Sequence, residues 1–115
     1  MPLFSCAGKR PTHLGVESSR LTSCPSSPNC VSSDAADSTH SVAAFALAIP
    51  SREAWLAVRG TVESLPRTKI ISETSDYLHA ECTSAVFGFV DDLELHLRAA
   101  EGAYCGEIGI AARLQ

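Results

Sequence analysis

The chain has 115 residues, of which 45% are hydrophobic and 19% charged, and a formal net charge of -4. That length suits one domain and can bury a core without help from disulfides or a metal. Its nine Lys and Arg are scattered, with no run beyond Lys9-Arg10, which disfavours nucleic acid or an anionic membrane as the main partner, since both reward clustered cations.

The longest apolar run, 42–49, is far short of the roughly 20 residues a spanning helix needs, so no transmembrane segment is expected. The opening MPLFSCAGKRPTHLG has neither the basic start nor the apolar stretch of a signal peptide. As written, the sequence therefore reads as cytoplasmic.

Residues 1–41 hold four of the six prolines and many Ser, Thr and Asp. They follow neither a period of 2 nor one of 3.6, which predicts an irregular Pro/Ser-rich arm within the same domain as the rest. Within it, Cys24 and Cys30 flank Pro25-Ser26-Ser27-Pro28-Asn29. Three readings are open. A disulfide closing this loop would contribute about 2.4 kcal/mol in the chain-entropy account, and two buried thiols would serve the same structural end. A metal site usually spaces paired cysteines more tightly and needs further ligands, for which His13 and His40 are nearest. A redox pair normally has two residues between its cysteines, at a helix N-terminus. The five cysteines (Cys6, Cys24, Cys30, Cys82, Cys105) are an odd set, so one at least is unpaired in a monomer and the redox compartment stays open.

From residue 42 the pattern becomes regular, and 42–115 reads as a single α+β domain. Residues 42–49, apolar and stopped by Pro50, suit a buried strand. Ser51 is placed to cap a helix, and Trp55, Val58, Val62 and Leu65 form its apolar stripe. Pro66 ends it. Strands are expected at 69–74, 77–84, 87–99 and 104–114, with Ser75-Asp76 and Glu101-Gly102 supplying turns. The order predicts an antiparallel sheet of four to five strands, with one main helix packed on one face.

Successive strand residues point to opposite faces. Tyr77, His79, Glu81 and Thr83 alternate with Leu78, Ala80, Cys82 and Ser84; Asp92, Glu94, His96 and Arg98 alternate with Leu93, Leu95 and Leu97. A hairpin turning at Ala85-Val86 would set His79 opposite Asp92 and gather His79, Glu81, Asp92, Glu94 and His96 on one surface. Such a set can ligate a metal or move protons. It is also what a solvated sheet face with cross-strand charge pairs looks like. Cys82 falls on the leucine side, as an inert core thiol would. Asp91 also falls there by parity, so it should be paired, with Arg113 or Arg20 as candidates, or protonated, or released by a bulge near Gly88.

CPSSPNCVSS at 24–33, the Asp37-to-His40 step, and YLHAE followed by FGFVDDLEL resemble domain-of-unknown-function family 1499 over about residues 8–97. The resemblance implies a compact α+β domain, in a family often exported or membrane-attached, but no activity, substrate or cofactor. The family continues with an arginine cluster, of which this chain matches Arg113 alone. If the family's acids at Asp91, Asp92 and Glu94 face those arginines, this chain keeps the acids and has one of the bases. The leading expectation is a non-catalytic module that binds a small ligand or a protein, or serves as an accessory domain, and it could form a homo-oligomer. The alternative is a metal-dependent or acid–base enzyme using the His79/Glu81/Asp92/Glu94/His96 face.

Overall fold

Alternation through the second half of the chain produces a sheet. The computed structural model describes residues 14–25, 29–99 and 108–115, and its elements run in chain order. They are β1 (Val16–Glu17), β2 (Arg20–Leu21), β3 (Val31–Ser32), β4 (Phe45–Leu47), α1 (Ser51–Ser64), β5 (Thr68–Glu73), β6 (Tyr77–Thr83), β7 (Val90–Ala99) and β8 (Ile108–Leu114). This is an α+β fold with one helix among the described residues. The main sheet is antiparallel, ordered β3-β8-β7-β6-β5, and β4 lies beside β8 on the same edge as β3. β1 and β2 form a separate two-stranded ribbon. No helix among the described residues is long and apolar enough to cross a membrane.

One sheet face carries Leu78, Ala80, Leu95 and Ile110, and α1 lays Trp55 and Val62 on it; Leu47, Val58, Ile70, Leu93, Leu97 and Ala112 fill the margins. The helix departs from expectation at both ends. Pro50 is the N-cap and no side chain caps the first turn, because Ser51 is already the first helical residue. Leu65 closes the helix with ψ at 135°, the extended value that a following proline imposes, and so the last member of the apolar stripe is carried out into solvent.

Residues 42–49 are not a buried strand. Three of them form β4, and of the whole run only Leu47 is half-buried, the rest being exposed. β4 pairs with β8 on one side, and among the described residues no other strand of the sheet borders it, so the run lies along the rim instead of crossing the centre.

The β6–β7 hairpin has the expected parity with a different register. Glu94 stands opposite His79 and Asp92 opposite Glu81, a shift of two residues from the expected pairing. The connection is longer than a two-residue turn: Ser84 N–H donates to Phe89 O at 2.8 Å and Gly88 takes φ +69°. An even shift leaves every side chain on its face, so the polar set stays together. The expected strand 104–114 is observed from Ile108, and 104–107 lie outside the described residues.

Candidate functional site

The polar face of β6, β7 and β8 is buried, not solvated. His79, Asp92, Glu94, His96 and Arg113 are all buried there, and Glu81 is half-buried. The cover comes from the N-terminal arm, which has no periodic pattern to announce it. Its β1–β2 ribbon turns on Ser18 and Ser19, both at positive φ (52° and 65°), the two left-handed positions of a type I′ turn. Thr22 N–H to Gly15 O at 3.0 Å closes the ribbon's open end. Leu21 from this ribbon is buried.

Two carboxylates fasten the arm. Glu94, on β7, takes three donors: the Gly15 N–H at 2.6 Å and the Tyr77 hydroxyl at 2.6 Å on Oε1, and Arg113 Nη1 at 2.9 Å on Oε2. Gly15 presents its N–H with φ +117°, a conformation that side-chain-bearing residues rarely adopt. Burial, with the Glu94 carboxylate beside it, pushes the Tyr77 hydroxyl well above its ordinary range. Asp34 sits in the arm and accepts from Leu21 N–H at 2.9 Å, from Arg98 Nη1 at 3.0 Å and from Arg98 Nη2. Burial alone would raise the Asp34 carboxyl, but the Arg98 guanidinium and the Leu21 N–H outweigh it and hold the group below its usual value.

A third polar contact joins His79 Nε2 to Asp92 Oδ1 at 2.7 Å. These residues are diagonal in the observed register, within reach of long side chains. His96 is the last of the set. Its Nε2 lies 3.7 Å from Asp76 Oδ2, while its Nδ1, like Arg113 Nε, has no hydrogen-bond partner among the described residues.

The structure therefore brings together His79 with Asp92 and Glu94 with Arg113, and leaves Asp91 out. Asp91 lies on the helix side of the sheet, as its parity requires, but it is exposed, as is Phe89 just before β7. It pairs with neither Arg113 nor Arg20: the former faces Glu94 and the latter reaches Asp34 at 3.5 Å. No register shift interrupts the β6–β7 ladder, so no bulge releases it. Asp34, Arg98 and Tyr77 are members of this hydrogen-bonded network that residue patterning did not single out. Arg98 and Tyr77 share the alternation, whereas Asp34 lies 64 positions from its partner with no local signal.

Cys24 and Cys30 form a disulfide with Cα atoms 5.7 Å apart. This is the disulfide that the structural reading of the pair calls for. It ties the segment following β2 to the residue preceding β3, and therefore ties the arm to the main sheet. Cys82 is a free thiol, half-buried. The Asp37-to-His40 step is a contact, with His40 Nδ1 2.5 Å from Asp37 Oδ2, and the imidazole holds the Asp37 carboxyl below its ordinary value. Among the described residues no three of His, Cys, Asp and Glu converge so as to hold a metal ion.

The family model described as "Protein of unknown function (DUF1499)" matches residues 20–112 of the chain. No curated protein and no solved structure matches it.

Proposed function

We propose that this chain, which belongs to the DUF1499 family, is a non-catalytic binding module that engages a protein partner through the tip of its β6–β7 hairpin. The observation that carries the reading is the way the tip is built. Val86, Phe87 and Phe89 are 81%, 69% and 51% exposed, yet the turn bearing them is tied down. Ser84 Oγ accepts from the Phe87 N–H at 3.3 Å and the Phe89 N–H at 3.2 Å, and the two rings lean on each other with centroids 5.6 Å apart. Aromatic anchors held in place before binding lose little conformational freedom when they enter a pocket.

The acid–base residues support the non-catalytic half of the reading. Glu94 has all its donors from within the chain, and Asp92 is turned onto His79. Both are buried, and Glu94 accepts from the arm's Gly15 N–H. Installing a photoreactive benzoylphenylalanine at Val86 in cells that naturally make the protein tests the proposal. A discrete heavier product should form and should vanish in Phe87→Ser/Phe89→Ser with the melting temperature unchanged. No product, or one indifferent to both phenylalanines, would overturn it.

A second reading, a metal-dependent or acid–base enzyme on the His79/Glu81/Asp92/Glu94/His96 face, draws on the 2.7 Å His79–Asp92 contact, since a carboxylate that orients an imidazole is a common catalytic pairing. Metal analysis of the purified protein tests the metal-dependent form of this reading. Stoichiometric zinc or iron lost in His79→Ala or His96→Ala favours the enzyme; a metal-free protein removes that form.

A further inference from the structure

We propose that two copies of this chain associate edge to edge through β4, antiparallel about a two-fold axis near Ala46. The sheet has two rims, and they are treated differently. On the β5 rim Lys69 and Glu73 are exposed and the ladder shifts register between Ile70 and Ser72. Charge and irregular pairing are the usual devices that keep a sheet edge from recruiting another strand. On the other rim, residues 42–49 read Val-Ala-Ala-Phe-Ala-Leu-Ala-Ile without a charge, a hydroxyl or a proline. Phe45 is 58% exposed, with Val42 and Ile49 exposed beside it. Among the described residues, no other strand of the sheet borders the outer side of β4.

A second copy is the occupant that best fits this rim. Two-fold antiparallel pairing about Ala46 sets Phe45 of one copy beside Leu47 of the other and Ala44 beside Ala48. Every pair then matches an apolar group with an apolar group. The alanines let the backbones approach to the roughly 4.8 Å spacing of paired strands. No like charges meet, although each chain carries a net charge of -4, because the acidic groups lie elsewhere. Phe45 shares the parity of Leu47, which packs on the core, so both belong to the helix side of the sheet. Docking therefore extends the apolar layer beneath α1 from one copy towards the next. An isologous contact of this kind closes on itself and does not propagate.

Sedimentation velocity of the full chain over a concentration series from about 1 to 200 μM, spanning the affinities of small interfaces, reads the result. The mass should rise with concentration from 12.2 kDa towards twice that value. Phe45→Lys, at an exposed position, should hold it at the monomer mass with its melting temperature retained. Amide exchange supplies a readout that needs no variant: protection of residues 42–49 should grow with protein concentration while that of β5 stays constant. A wild-type chain that stays monomeric, a dimer that survives Phe45→Lys, or protection of 42–49 independent of concentration would each overturn the proposal. The last outcome would mean that the rim is covered by the chain's own residues.

Discussion

Glu94 on β7 and Arg113 on β8 stand directly opposite each other in the sheet register and form a 2.9 Å ion pair with no solvent exposure on either side chain. Taking both charges out of water is costly, and their attraction offsets that cost while both are present. Removing one leaves the other buried and alone. Glu94→Leu or Arg113→Met should therefore each lower stability by about 3–5 kcal/mol. The double variant Glu94→Leu/Arg113→Met should lose much less than the sum, because contacting residues do not act additively. Urea unfolding of the four proteins gives the cycle directly; additive losses would mean that the two side chains act independently.

Asp91 and Asp92 are neighbours in sequence and opposites in environment. Asp91 is exposed, with no ion pair or side-chain hydrogen bond among the described residues, whereas Asp92 is buried against His79. Asp91→Ala should change stability by no more than about 0.5 kcal/mol. Asp92→Ala should cost about 1–3 kcal/mol, the penalty of a buried imidazole nitrogen left without its partner. Thermal unfolding of both variants tests the assignment; equal losses would contradict it.

The Cys24–Cys30 bridge closes a short loop between the segment after β2 and the start of β3. Reduction, or replacement of both cysteines by serine, should lower stability by about 2.4 kcal/mol on the chain-entropy account. The β1–β2 ribbon is held to the sheet by this bridge and by the Glu94 and Asp34 contacts. Amide exchange at Leu21 and Thr22 should therefore quicken on reduction while β6 and β7 stay protected. Thiol titration should count at least two more groups with reductant than without it, those of Cys24 and Cys30. If exchange in the ribbon is indifferent to reductant, the bridge does not hold the arm.

What could be read from the sequence divides along physical lines. Side-chain parity in β6 and β7 was legible because a period of 2 is local, and it survived the two-residue error in register since an even shift preserves faces. The register itself was not legible. It depends on how Ser84 ties Phe87 and Phe89 into a wider turn, which no pair of turn residues announces. Burial of His79, Glu94 and Arg113 was hidden for a different reason. Their cover is an aperiodic arm held by Gly15 and Asp34, which lie 79 and 64 positions from their partners. The run 42–49 looked like core because it is apolar, yet apolar composition fixes only that a segment gains from being covered, not by which molecule.

The arm lock has a pH signature. Asp34 is held below its usual value, burial being outweighed by the hydrogen bonds from Arg98 and Leu21. A carboxyl whose folded value is depressed binds its proton more readily when unfolded, so its contribution is complete above the unfolded value of about 3.9 and is lost as pH falls through the folded one. Acidification from pH 5 to pH 3 should therefore lower the stability of the wild type more steeply than that of Asp34→Asn. The variant should be the weaker protein at pH 7, by about 1–3 kcal/mol for the lost charge-assisted bonds. Asp37, depressed by its contact with His40, titrates in the same sense, so the slope attributable to Asp34 is the difference between the two proteins and not the whole of either. Urea midpoints at half-unit pH steps supply that difference. Parallel curves for wild type and Asp34→Asn would show that the Arg98 clasp does not contribute to holding the arm on the sheet.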